Sequence, residues 1–182
     1  MSDVIDPRFE DVLQPPDVTA VQLADDGTFP NHPELPLVIY RAAFVPERCS
    51  AASIEQVVRA HRWGGAWRNG IYGYHHYHST AHEVLGVARG SARVQLGGPE
   101  GETVDVRAGD VLIVPAGVAH KNLGASGDFL VVGAYPAGQD WDMNTGRPGE
   151  RPQADRNIEQ VPLPAMDPIY GAGGPLIMHW SL

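Results

Sequence analysis

The apolar positions fall into short runs separated by turn-forming residues. Val18–Ala24 and Leu35–Phe44 are rich in Val, Leu, Ile and Tyr and read as strands. The stretch 25–34 between them is dense in Asp, Gly, Pro and Asn and reads as a loop. From Ser50 the period changes: Ile54, Val57, Val58 and His61 recur at three and four residues. That spacing predicts one short helix near 50–63, capped by Ser50 or Ser53 and ending near Trp63-Gly-Gly65. Residues 70–136 return to short strands broken by glycine. Ala92–Leu96 and Thr103–Arg107 form a hairpin across Gly97–Gly101, Asp110–Val114 stops at Pro115, and Asp128–Tyr135 stops at Pro136. Such even spacing predicts an all-β sandwich or barrel. Residues 1–17 read as an extended arm without a core pattern. Residues 137–174 read as an irregular segment wrapping the barrel, and Leu176–Trp180 as a last strand.

Composition sharpens this picture. A chain of 182 residues suffices for one sizeable core, which makes a single domain the expectation. With 21 glycines and 16 prolines, turns and short strands are favoured over long helices. The formal net charge is −9, and Lys121 is the only lysine, so no basic patch is available to neutralise a phosphate backbone and nucleic acid is not an expected partner. No run approaches the ~20 apolar residues of a membrane span, and the first residues do not resemble an export signal. The expectation is a cytoplasmic protein without a membrane partner. Cys49 is the only cysteine, which excludes an internal disulfide.

Four of the eight histidines, His75, His76, His78 and His82, lie within one stretch of eight residues that runs directly into Glu83. In a strand, alternate side chains share a face, so His76 and His78 point the same way with their bases roughly 6–7 Å apart, near enough to hold one ion. His75 and Tyr77 then face the other way. Imidazole suits Zn, Fe, Cu, Ni and Mn, and a carboxylate such as Glu83 adds charge to the same site. His82 is a substitute for Glu83 or an addition to it. Tyr72 and Tyr74 are in phase with His76 and His78 and are candidates for proton transfer or substrate orientation. Asn122 is a candidate hydrogen-bonding residue.

Two spacings carry a family resemblance. Gly70, His76, His78, Glu83 and Gly90 stand at the intervals of the first cupin motif, and Gly109, Pro115, Gly117 and His120 at those of the second. Position 124, where the family usually has Asn, is Gly; that position is not a ligand. The chain resembles the YjlB-like branch of small bacterial cupins, also in Asn31–Tyr40, Trp67–Tyr74, Gly138–Met143 and Asp167–Gly171.

The resemblance implies a cupin-type β-barrel (a double-stranded β-helix, or jelly roll). It also implies a mononuclear site of His76, His78, Glu83 and His120, and a homodimer. Such a site leaves coordination positions free, and three readings follow. The first is a dioxygenase-type metalloenzyme with Fe(II), acting on a small molecule. The second, with Zn or Mn, is a non-redox isomerase, epimerase or lyase. The third is a barrel that binds a small ligand without turnover. Ni and Cu also suit the donor set.

Overall fold

The apolar runs become strands because most of them are covered on both faces. The computed structural model describes residues 4–181. In chain order these form β1 (Asp17–Val21), β2 (Leu37–Arg41), α1 (Ala51–Ala60), β3 (Trp63–Asn69), β4 (Glu83–Arg89), β5 (Ser91–Leu96) and β6 (Glu102–Arg107). There follow β7 (Val111–Val114), β8 (His120–Ala125), β9 (Leu130–Pro136), α2 (Gln153–Gln160) and α3 (Pro175–His179). One antiparallel sheet has the order β1-β2-β7-β4-β9-β3, and a smaller one has the order β6-β5-β8.

The inner core lies between the two sheets. Leu37, Ile39, Leu85, Leu112 and Val131 of the large sheet meet Val94, Leu96 and Val106 of the small one. The alternate residues of the large sheet, among them Val38, Tyr40, Val84, Ile113 and Val132, face outward into a second apolar layer. That layer is built by Ile54, Val57 and Val58 of α1 and by Tyr170, Leu176 and Trp180 of the C-terminal segment. Double coverage explains why β2, β4, β7 and β9 are almost continuously apolar. The outer face of the small sheet meets solvent, and β5 alternates accordingly, with Ala92, Val94 and Leu96 buried and Arg93 exposed.

The mostly β, two-sheet architecture agrees with the expected class, and several local expectations are corrected. The helix expected near 50–63 stops at Ala60, and Trp63–Asn69 belongs to a strand. Ser50 is the cap: its hydroxyl accepts from the Ser53 amide, while Ser53 Oγ accepts from the Ser50 amide. The expected last strand, Leu176–Trp180, is the helix α3 instead. A strand would put Leu176, Met178 and Trp180 on one face, but Leu176 and Trp180 are buried while Met178 is 74% exposed, a separation that only a four-residue period achieves. Pro175 opens this helix, where its missing N–H costs nothing.

One short helix was expected, yet α2 also lies inside the segment read as irregular. Its buried face consists of only Ala154 and Ile158, too few apolar positions to show a period. The N-terminal arm, read as lacking a core pattern, contributes buried Leu13, which bridges to Phe44, and partly buried Val4, Ile5, Phe9 and Val12. The first three residues of that arm lie outside the described residues.

The C-terminal segment is pinned to the large sheet by one buried carboxylate. Asp167 Oδ2 accepts from the Tyr40 hydroxyl and the Leu176 amide, and Oδ1 accepts from the amides of Ile169 and Tyr170. Removing it orphans several buried donors at once. Asp167→Ala is therefore expected to lower stability by about 3 kcal/mol or more, measured as a reduced urea midpoint, whereas a loss below about 1 kcal/mol would contradict the anchoring role.

Candidate metal centre

Residues 70–82 cross from β3 to β4 at one end of the two sheets. They form isolated bridges where the sequence suggested a continuous strand. His76 and His120 exchange backbone hydrogen bonds of 3.2 and 2.9 Å, and Tyr77 does the same with Asn144. Two such bridges suffice to set the pleat. Tyr77 turns away and is fully buried against Phe29, while His76 and His78 turn toward the start of β8, where His120 stands. Glu83, the first residue of β4, shares the inward face with Leu85.

The three imidazoles are buried, and one ring nitrogen from each lies within 4.8 Å of the others. Glu83 Oε2 is 3.3 Å from His78 Nε2 and 3.1 Å from His120 Nε2. Each Nδ1 is committed elsewhere: His76 to the carbonyl of Tyr74 at 3.1 Å, His120 to that of Val118 at 3.1 Å, and His78 to that of Asp142. A carbonyl only accepts, so each Nδ1 carries the proton and donates, which leaves each Nε2 as a lone pair. Glu83 Oε1 accepts from the Tyr135 hydroxyl at 3.0 Å, and the Trp67 indole donates to that same hydroxyl oxygen at 2.9 Å. Oε2 is buried without a donor.

Buried lone pairs that meet without a proton between them repel one another, and a divalent cation satisfies all of them. The donor set therefore fits a metal. The protonation behaviour of the side chains agrees. Burial pushes the His76 imidazole down to about 3, helped by the neighbouring His120, so it is neutral and ready to ligate. Burial alone would also lower His78, but the Glu83 carboxylate overrides it and holds His78 above its ordinary value. Burial would raise Glu83, yet the adjacent His78 and His120 imidazoles hold it well below the carboxylate range. Positive charge is attracted to this point.

A cavity of about 420 Å³ opens from the centre, with Trp67, Tyr72, Leu85, Tyr135, Trp141 and Met143 among its walls. The structure brings His76, His78, Glu83 and His120 together and leaves the other candidates apart. Tyr72 and Tyr74 stack on each other at 5.0 Å, both about half exposed, and of the two only Tyr72 lines the cavity. Asn122 stabilises the loop: its Oδ1 accepts from the Gly124 amide, and its own amide donates to the Tyr72 carbonyl.

His82 precedes Glu83 in extended chain and so faces the opposite side. Its Nδ1 accepts from the Ala116 amide, and its ring packs 4.7 Å from Trp180. His32 is buried and caps its loop through Nδ1, which accepts from the amides of Glu34 and Leu35. Trp67, Tyr135, Trp141 and Asp142 were not singled out from sequence. Tyr135 lies 52 positions from Glu83 and Asp142 lies 64 from His78, and no local spacing marks them.

The cupin domain family model matches residues 68–132. Over 156 residues the chain is 46% identical to the uncharacterized protein YjlB of Bacillus subtilis (strain 168), a match that spans 86% of this chain and 92% of that protein. The chain belongs to the YjlB-like cupins. Among solved structures it resembles acireductone dioxygenase from Bacillus anthracis with a cadmium ion in its active centre. That match has 15% identity and a TM-score of 0.37, and covers 52% of this chain and 63% of that one, less than two thirds of its length. It also resembles a DUF861 family protein from Thermotoga maritima, with 21% identity, a TM-score of 0.31, and coverage of 51% of this cupin and 91% of that chain.

Two outcomes are expected from this geometry. Tyr135→Phe removes the donor that orients Glu83, and Gly133→Ala would place a methyl carbon 2.1 Å from the Trp67 ring that holds Tyr135. Each should weaken Zn(II) affinity about tenfold or more in a chelator competition, and unchanged affinity in both would refute the orienting role. The second concerns pH. Burial lowers His32 to about 4, so between about 6.5 and about 4 the unfolded chain binds a proton that the folded one does not, and stability falls as pH falls. His32→Asn, which keeps a loop-capping acceptor, should flatten the urea-midpoint profile across that window.

Proposed function

We propose that this cupin is a mononuclear metalloenzyme of dioxygenase type, acting on a small molecule, with Fe(II) as its favoured ion and His76, His78, Glu83 and His120 as ligands. The observation that carries the reading is the convergence of three unprotonated imidazole nitrogens and one orphaned carboxylate oxygen at the floor of a cavity. Zn, Mn, Ni and Cu also suit these donors. A bound redox-active ion would supply dioxygen chemistry that no protein side chain can provide.

The surrounding residues support this over isomerase, epimerase or lyase chemistry. Those reactions call for a positioned base or acid beside the metal. Among the described residues lining the cavity, Glu83 is the only carboxylate, there is no lysine or cysteine, and the Tyr135 hydroxyl is committed to Glu83, which leaves the half-exposed Tyr72 as the one candidate acid or base; Arg68 turns its guanidinium toward Glu55 of α1. The protein's own contribution is to bind and to orient. Trp67 and Tyr135 hold Glu83 in one orientation, and the Tyr74, Asp142 and Val118 carbonyls fix the ring planes of the three histidines.

The test is the metal content of untagged protein by inductively coupled plasma mass spectrometry, beside a His76→Ala/His78→Ala variant. Near-stoichiometric iron that disappears in the variant is the expected result. Stripping the ion should also lower the melting temperature, since a ligand at 1,000 times its Kd stabilises the fold by about 4 kcal/mol. Stoichiometric zinc or manganese would move the assignment to non-redox chemistry. Protein that takes up no ion on reconstitution would overturn the metalloenzyme reading and leave a ligand-binding barrel.

A further inference from the structure

Apart from its floor, the cavity shows a strong bias in its walls. Tyr72 packs edge-on against His76, with ring centres 5.2 Å apart, and Trp141 packs edge-on against His78 at 5.6 Å. The two ligand rings are 5.9 Å apart, so one large aromatic side chain flanks each end of the histidine pair. Tyr135 stacks on Trp141 at 6.1 Å and an interplanar angle of 21°, and Ile71, Leu85 and Met143 complete the apolar surface. Tyr72 and Trp141 are 48% and 50% exposed, so both present ring surface at the opening of the cavity.

Among the described residues, Arg68 is the only cationic side chain lining this space, and its guanidinium makes two hydrogen bonds to the Glu55 carboxylate on α1. Recognition of charge is thus centred on the histidine and carboxylate floor. Above it, the rings of Trp67, Tyr72, Tyr135 and Trp141 and the side chains of Ile71, Leu85 and Met143 favour a flat, apolar body.

We propose that the substrate is a small aromatic compound with a compact oxygen-donor head such as a carboxylate. The head sits on the metal centre, and the ring lies between Tyr72 and Trp141. This inference rests on the metalloenzyme reading above and adds the substrate class to it. A volume of about 420 Å³ suits one ring and a short side chain, and besides the tyrosine and tryptophan rings the polar wall side chains are Arg68, held by Glu55, and Asn69, whose Oδ1 accepts from the Gly70 amide.

The experiment is calorimetric titration of the full-length, metal-reconstituted protein with 3-phenylpropanoate and with succinate. The metal content of each sample is measured in parallel. Expected is a Kd for 3-phenylpropanoate at least tenfold below that for succinate. Tyr72→Ala and Trp141→Ala should each raise the former about threefold to tenfold and leave the latter unchanged. Trp141→Leu keeps apolar area without the ring and should recover only part of the loss. Metal-loaded protein that binds succinate as tightly, or whose binding of the aromatic acid ignores both substitutions, overturns the substrate class and leaves the metalloenzyme reading standing. Protein that holds no metal overturns that reading together with the placement of the head on the ion.

Discussion

Electrostatic repulsion among buried lone pairs is the constraint around which this end of the molecule is organised. Three imidazoles whose Nδ1 protons are given to backbone carbonyls, and a carboxylate with only one oxygen satisfied, are costly neighbours in a dry interior. The fold holds them by rigidity: His76 and His120 are locked to each other through their backbones, and Glu83 opens a strand paired on both sides, with β7 and β9. A positive ion would turn that cost into a stabilising interaction.

The large sheet makes such rigidity possible. Its inner face packs on the small sheet and its outer face on α1 and the C-terminal segment, so β4 and β9 cannot shift without disturbing two apolar layers. Close approaches tighten the arrangement. Gly86 admits the Ile54 side chain of α1, and Gly133 leaves space for the Trp67 indole, which in turn steadies Tyr135 and Glu83. Outer packing and inner chemistry are thereby joined through single strands whose alternate residues serve one layer or the other.

The C-terminal segment has two duties. Through Asp167, Tyr170, Leu176 and Trp180 it closes the outer apolar layer. Through residues 141–144 it reaches the opening of the cavity, where the Asp142 carbonyl fixes His78 and Trp141 supplies a wall. The Asp142 carboxylate ties this stretch back to the amide and hydroxyl of Ser79, next to His78, whose ring the Asp142 carbonyl orients.

Local pattern determined a great deal about this protein. Alternation and glycine spacing marked most strands. The three- and four-residue period marked α1. The histidine and carboxylate spacing drew attention to the four residues that converge, because pleat parity over two or three residues is a local property. What parity could not say is which face a side chain meets once the chain bends. The tertiary structure alone sent His82 toward Trp180, turned Arg68 toward α1, and stacked Tyr74 outside the cavity. It alone curled Leu176–Trp180 into a helix, since the depth of the surrounding core, not the propensity of five residues, chose which side chains to bury. Tyr135, Trp67 and Asp142 entered the site by the same route: their partners are distant in sequence, and contacts of that range exist only after the sheets have formed.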